Sequence, residues 1–317
     1  MSSTRADTAA RGPYCAMSEL LRERFAARDL KLFSPRPAQS VQSGRFRTRF
    51  RGRGVDFEEV RLYQAGDDIR SIDWRVTART QTPHTKLYSE ERERPVYIVC
   101  DQRSPMFFGS VNCFKSTLAC HIGALLGWAA LHSGDRVGTL VFGDSDFRDA
   151  RPKRSKHSVL QLLQFLESYN HALQSPIAST GGLSLAQICK DLRRIATPGA
   201  AVFIISDLHD LDDEAEKQLF HLQRHLDITL IHLSDPLEQQ LRAHGPLTIT
   251  DGASRVQLPA QDTQFQRAYE ARAAEHLAQL QARAQRLGLE RLALSTADSH
   301  TQLLRQRFGG ARRGGRQ

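Results

Sequence analysis

Two short runs, PVYIVCD (Pro95 to Asp101) and AAVFIISD (Ala200 to Asp207), constrain this chain more than anything else in it. Each is a string of β-branched and other apolar residues that ends in an aspartate, and each alternates with longer segments of helical period. Strands apolar on both faces belong to sheets covered on both sides, built by crossover helices. The alternation continues from Pro95 onward. FKSTLACHIGALLGWAALHSG reads as a largely buried helix stopped at Gly134, and DRVGTLVFGD as the next strand. KHSVLQLLQFLESYN, SLAQICKDLRRIA and EAEKQLFHLQRHL read as helices, DITLIHLSDP as a strand, and GPLTITDGASRVQLP as a hairpin turning at Asp251 and Gly252. A long helix behind an Asp262 cap and a last strand, LERLALSTA, complete the pattern. The fold class expected is α/β, a doubly wound and mainly parallel sheet.

In such sheets ligands bind outside the carboxyl ends of the strands, near the point where the strand order reverses. Asp101 and Asp207 both fall there. A strand-ending aspartate can equally be no more than the cap of the next helix.

Before Pro95 the pattern is different. Residues 1–17 are polar and read as a disordered tail, without the apolar core of a signal peptide. SELLRERFAARDLKL predicts an amphipathic helix behind a Ser18 cap, and RFRTRFR, with arginine alternating with Phe46, Thr48 and Phe50, has the period of a strand. The longest apolar run, IGALLGWAAL, is too short to span a bilayer. The net charge of +9 is explained by two acid-free segments, RFRTRFRGR (45–53) and RQRFGGARRGGRQ (305–317), with five arginines each. Without them the body is nearly neutral, so a general nucleic-acid cleft is not indicated. Cys15, Cys100, Cys113, Cys120 and Cys189 show no CxxC spacing and are odd in number, which fits a reducing cytosol.

The stretch YQAGDDIRSIDWRVTAR (Tyr63 to Arg79) sets Asp67, Asp68 and Asp73 among Arg70, Arg75 and Arg79. Clustered carboxylates can serve as acid/base pairs or metal ligands. Here every acid has an arginine within three residues, and arginine does not exchange protons at neutral pH. A structural ion-pair network is the leading reading, with Gly66 freeing the turn and Ile69, Ile72 and Trp74 seating it on an apolar surface; a protein-binding surface and catalysis follow in that order. A buried network implies a loss of about 3–5 kcal/mol on removing one side, as in Asp73→Ala.

From Gly52 to Gly109 the chain resembles the bacterial family known as domain of unknown function 58. Gly52, Gly54, Asp56 and Phe57 match its start, with Asp where Glu is usual. Tyr63, Gly66, Asp67, Asp68, Arg70, Ile72, Asp73, Trp74, Ala78 and Arg79 match its core, with Thr77 in a serine position. The resemblance implies a von Willebrand A-like (Rossmann-like) domain with an extra N-terminal β-rich element, working with a MoxR-type AAA+ ATPase on client proteins. The domains expected are a tail (1–17), a helix and β-rich motif region (18–94), the von Willebrand A-like domain (95–304) and a basic tail (305–317).

Domains of that kind often hold Mg²⁺ at a DxSxS loop, completed by a threonine and a second aspartate. The loop here is DQRSPM, with Arg103 and Pro105 in the serine positions and Ser104 one residue out of register. Asp207 maps to the distal aspartate, and the threonine loop falls somewhere in STGGLSLAQ. A guanidinium cannot ligate a metal, so the expectation is a degenerate site without a cofactor. Arg103 is expected to take the cation's place, pairing Asp101 with Asp207 and offering spare donors to an acidic partner.

His221 and His225 lack the glutamate and third ligand of a zinc site and read as a solvated helix face. His209 beside Asp207 has no serine elbow, and no phosphate-binding loop is present. The function expected is a non-enzymatic cytoplasmic adaptor whose partner-binding residues are Asp101, Arg103, Ser104 and Asp207. The alternatives are a divalent-metal-dependent enzyme using Asp101 and Asp207, and an RNA or anionic-membrane binder using the arginine-rich flank.

Overall fold

The computed structural model describes residues 10–33, 55–64, 69, 72–90, 93–172, 182–241, 247–250 and 254–309. The chain divides into two compact units, Met1–Phe33 with Arg94–Gln317, and Ser34–Glu93 between them. The first helix, α1 (Met17–Ala26), belongs to the larger unit. The expected boundary at residue 18 therefore moves, because Leu20 is buried and its carbonyl accepts the indole N–H of Trp128 at 3.3 Å. The helix also starts before Ser18: Ala16 is the N-cap, and the Glu19 carboxylate takes the Ala16 N–H.

The smaller unit is built on two antiparallel strands, β1 (Val55–Leu62) and β2 (His84–Glu90), with a register shift between Phe57 and Glu59. Between them lies α2 (Trp74–Thr80). Asp73 starts this helix by accepting the N–H groups of Arg75 and Val76, and its own N–H donates to the His84 carbonyl. Thr77 Oγ1 accepts the N–H of His84 at 3.0 Å, so helix and strand are held by one backbone bond and one threonine hydroxyl.

The larger unit is an α/β fold around six strands. Its elements are β3 (Pro95–Asp101), α3 (Lys115–His132), β4 (Arg136–Phe142), β5 (Phe147–Lys153), α4 (Lys156–Ala172), α5 (Leu185–Ile195), β6 (Ala201–Ser206), α6 (Asp213–Gln223), β7 (Asp227–Ser234), α7 (Pro236–Gln239), β8 (Leu247–Thr250), β9 (Arg255–Leu258), α8 (Thr263–Arg286), β10 (Glu290–Ser295) and α9 (His300–Phe308). The sheet order is β10-β7-β6-β3-β4-β5, parallel throughout except for β5. β8 and β9 form the expected separate hairpin, whose turn lies outside the described residues.

Alternation along each strand feeds two cores. Val96, Ile98, Cys100, Phe203 and Ile205 face α1, α3, α4 and α9. Tyr97, Val99, Val202 and Ile204 face α5, α6 and α8. The strand order reverses between β3 and β6, so the crevice at their carboxyl ends is the position this topology favours for a site.

Each of the two expected tails includes residues that are packed against the larger unit. Residues 10–16 are not free: Ala10 and Cys15 are buried, Gly12 bridges to Cys113, and the Cys15 N–H donates to Asn170 Oδ1 at 2.8 Å. At the other end Arg305–Phe308 are helical, and Phe308 packs edge-on against Phe203, 6.0 Å between centroids. Where the smaller unit leaves and rejoins the larger one, the Arg94 guanidinium lies 4.6 Å over the Phe33 ring. All five cysteines are free and buried. No helix among the described residues is long and apolar enough to cross a membrane.

Candidate functional site

The crevice beyond β3 and β6 is closed by two side-chain cations. Asp101 ends β3 with no exposed surface, and β6 brings Ser206 beside it, donating its hydroxyl to Asp101 Oδ2 at 2.7 Å. The chain then turns so that Arg103 folds back: its N–H and Nε both donate to Asp101 Oδ1 at 3.0 Å, and Nη2 donates to Oδ2 at 2.7 Å. On its other side the guanidinium grips Asp210, Nη1 to Oδ2 at 2.7 Å and Nη2 to Oδ1 at 2.9 Å, while Nη1 also donates to the Leu183 carbonyl at 3.1 Å. A guanidinium has five N–H groups. All five are used here, in two bidentate carboxylate pairs and one carbonyl bond.

The second cation is Lys115, at the start of α3 and 2% exposed. Its ammonium lies 2.9 Å from Asp207 and 2.6 Å from Glu238. A lysine at a helix N-terminus works against the macrodipole, and two carboxylates compensate for that. Glu238 also takes the N–H of Asp235 at 2.8 Å, and buried Asp235 collects the hydroxyls of Ser110 and Thr296 and the N–H groups of Ser110 and Leu237. The loops after β3, β6, β7 and β10 are thus joined by charged hydrogen bonds.

The expected pairing of Arg103 with Asp207 is therefore corrected to Arg103 with Asp210. The cause is local. Leu208, fully buried, has φ +55°, a left-handed conformation rare for a branched side chain. That turn sends the Leu208 N–H to Ser206 Oγ and the His209 N–H to Asp207 Oδ1, so Asp207 faces Lys115 and Asp210 comes round to Arg103. Asp210 also accepts the N–H of Leu185 at 2.7 Å, so the STGGLSLAQ segment contributes backbone groups at Leu183 and Leu185. The spare guanidinium donors expected for an acidic partner are absent, since all five are engaged.

Ser104 is exposed, and its N–H and hydroxyl both go to Asp144, in the loop after β4. A cavity of about 240 Å³ lies beside Lys115 and Asp207, lined also by His209, His232, Glu238 and His276.

Burial pushes the Asp207 carboxyl up, but the Lys115 ammonium and the His209 N–H outweigh it and hold the group below its ordinary value. Asp210 is likewise held low against desolvation by Arg103. Lys115 is raised, its two carboxylates overcoming desolvation, and Arg103 is raised for the same reason. Burial lifts Asp101, with Arg103 and Ser206 opposing it. Burial and the neighbouring Arg291 push His232 down to about 4.

These residues do not fit the Mg²⁺ centre that is common in domains of the kind the sequence resemblance implies. Both Asp101 oxygens are occupied by N–H or O–H donors, and the two aspartates that would ligate the ion are already paired with side-chain cations, Asp101 with Arg103 and Asp207 with Lys115. At contact distance the repulsion between such an ion and Arg103 is several kcal/mol even at an effective dielectric near ~20.

The motif residues of the smaller unit fare differently. Gly66, Asp67, Asp68 and Arg70 lie outside the described residues. Asp73 is a helix cap, Arg79 is exposed, and Trp74 and Ile69, expected to be seated on an apolar surface, are 67% and 65% exposed. Trp74 is the first residue of the helix that Asp73 caps. His221 and His225 are exposed, as a solvated face requires.

Lys115, Asp210 and Glu238 were missed in the sequence. A lysine opening an otherwise apolar helix was a visible signal for the first, and Asp210, three residues past Asp207, for the second; Glu238 had none.

Uncharacterized proteins Rv1480 of Mycobacterium tuberculosis and Mb1516 of Mycobacterium bovis are each 29% identical over 234 residues, covering 73% of this chain and 71% of theirs. Among solved structures, the conserved hypothetical protein BatB from Bacteroides thetaiotaomicron aligns with 67% of this chain and 96% of its own, at 15% identity and TM-score 0.43. A mutant of the PilB minor pilin from Streptococcus sanguinis aligns with 71% and 63%, at 10% identity and TM-score 0.34. The profile of the family described as protein of unknown function DUF58 matches residues 59–279, more than half of the sequence, and this chain belongs to that family.

Proposed function

We propose that this chain is a non-enzymatic cytoplasmic adaptor that acts with a MoxR-type AAA+ ATPase in the assembly or activation of client proteins, using the β3/β6 crevice as its docking surface. The observation that carries the reading is the complete engagement of Arg103. A crevice closed by its own guanidinium offers a preformed pattern of charge and needs no metal to complete it. Four carboxylates (Asp101, Asp207, Asp210 and Glu238) surround two cations, Arg103 and Lys115, so the cluster favours a donor-rich or basic segment of the partner over an acidic one. Proton transfer is poorly served, because Asp207 and Asp210 are held low and Lys115 high at neutral pH.

The test is calorimetric titration of the purified chain with a purified MoxR-type ATPase, with and without nucleotide. Direct binding is expected, weakened at least about tenfold by Ser104→Trp, an exposed rim change that gives up one surface hydrogen bond to Asp144 and should lower the melting temperature by only a few degrees. Absence of binding heat, or an unchanged isotherm for that variant, overturns the assignment.

A further inference from the structure

Away from the crevice, on the side of the sheet covered by α1, α3 and α9, three residues far apart in sequence meet in the core. Glu23 from α1 and His300 from α9 have no exposed surface, and His121 from α3 is 3% exposed. Glu23 Oε1 takes both rings, His121 Nδ1 at 2.8 Å and His300 Nε2 at 3.0 Å. The ring centroids are 5.4 Å apart, and one donor atom from each of the three residues lies within 4.8 Å of the other two.

Proton accounting shows what this arrangement lacks. If Glu23 is ionised and both rings are neutral, the two N–H groups are spent on Oε1. Glu23 Oε2, His121 Nε2 and His300 Nδ1 then remain as buried atoms with no hydrogen-bond partner among the described residues. Buried polar groups in folded proteins are nearly always satisfied. Protonating both rings would add outward N–H groups that face the same shortage and would leave excess positive charge. A single divalent ion in place of the two inward protons ends the competition of both rings for Oε1 and gives Oε2 a role as a second carboxylate ligand atom, leaving the His300 Nδ1–H as the one orphan of the three among the described residues. The His121 proton then moves to Nε2, which lies 3.9 Å from Glu19 Oε2, so a small closure makes the carboxylate–histidine–metal relay that orients metal-bound imidazoles. Charge balances as well, with Glu19 and Glu23 against a dication.

We propose that Glu23, His121 and His300 form a structural binding site for a zinc-class divalent ion, tying the first and last described helices to α3. Two imidazole nitrogens and one carboxylate suit zinc and its first-row neighbours, whereas magnesium and calcium require oxygen ligands. Ligands about 2.0–2.1 Å from a tetrahedral ion lie roughly 3.3 Å from one another, so the nitrogen–oxygen contacts need to open by only a few tenths of an ångström. The fourth position falls to Glu23 Oε2. The site is independent of the crevice and of the adaptor reading.

The full chain, stripped with a chelator and dialysed against a slight excess of zinc, is expected to retain one zinc per molecule by mass-spectrometric metal analysis. Its melting temperature should rise with zinc and not with magnesium. His300→Gln and His121→Gln, checked for a native circular-dichroism spectrum, should lose affinity on the order of 100-fold or more. Cobalt titration of the wild-type chain gives a readout that needs no variant: a visible band of a four-coordinate nitrogen- and oxygen-ligated ion is expected. Wild-type protein that folds natively without retaining zinc overturns the proposal, leaving a hydrogen-bonded relay only. So does a cobalt spectrum with thiolate charge-transfer bands, or undiminished zinc affinity in both glutamine variants.

Discussion

Replacing Arg103 by serine tests the reading of the crevice most directly, because it removes the guanidinium and supplies the oxygen that a metal loop would carry at that position. Five side-chain hydrogen bonds are lost, four of them to carboxylates. The two acids do not suffer equally. Asp210 has a side chain 28% exposed and can rehydrate, whereas that of Asp101 is 1% exposed and keeps only the Ser206 hydroxyl and a backbone N–H. Breaking a buried pair on one side costs about 3–5 kcal/mol, and most of this falls on Asp101. At roughly 2–4 °C per kcal/mol, the melting temperature should fall by about 10 °C.

The loss should depend on pH with a definite sign. Without Arg103, the Asp101 carboxyl rises further above its unfolded value of about 3.9, and the folded state then holds more protons than the unfolded state between the two values. Stability of Arg103→Ser should therefore recover as the pH is lowered from 7 toward 5. Magnesium should also become stabilising: for a Kd of about 1 mM, ~10 mM ion contributes about 1.4 kcal/mol to the variant and nothing to the wild type. Scanning calorimetry with and without magnesium reads all three effects. Equal melting temperatures for the two proteins refute the structural role of Arg103. Specific magnesium binding by the wild type that disappears in Asp101→Ala refutes the exclusion of the ion.

Lys115→Met should cost about 3 kcal/mol or more in denaturant unfolding, since it strands Asp207 beside Glu238; a change below ~1 kcal/mol contradicts the pairing. Asp73→Ala should cost only about 1 kcal/mol, the loss of a helix cap, and Asp73→Ser much less; a loss of ~3 kcal/mol or more restores the buried-network reading. His232, held near 4 against an ordinary 6.5, binds fewer protons folded than unfolded. Stability should thus decline by roughly 3 kcal/mol as the pH falls from 6.5 toward 4, and His232→Gln should flatten that slope in a pH series of urea melts.

Much of the larger unit was legible because its signals are local. The strands β3, β6 and β7 are short apolar runs, Asp262 is visible as a cap, and the order of alternation dictates a wound sheet. β5 was missed: FRDARPK carries little apolar pattern because an outermost strand needs only one apolar side and is protected by charge and proline. The placement of Asp101 and Arg103 was legible for the same topological reason. The choice of Asp210 over Asp207 was not, since it depends on one left-handed backbone at Leu208, which composition does not encode. Glu23, His121 and His300 were invisible in the sequence, as helices separated by the whole length of the chain bring them together.

The stacking of Arg94 on Phe33 has a modular consequence. The family's signature segment enters and leaves the larger unit through neighbouring residues, as a cassette does when spliced into a surface turn. A few glycines in place of residues 34–93 should bridge that gap, leaving Met1–Phe33 and Arg94–Gln317 as one continuous polypeptide.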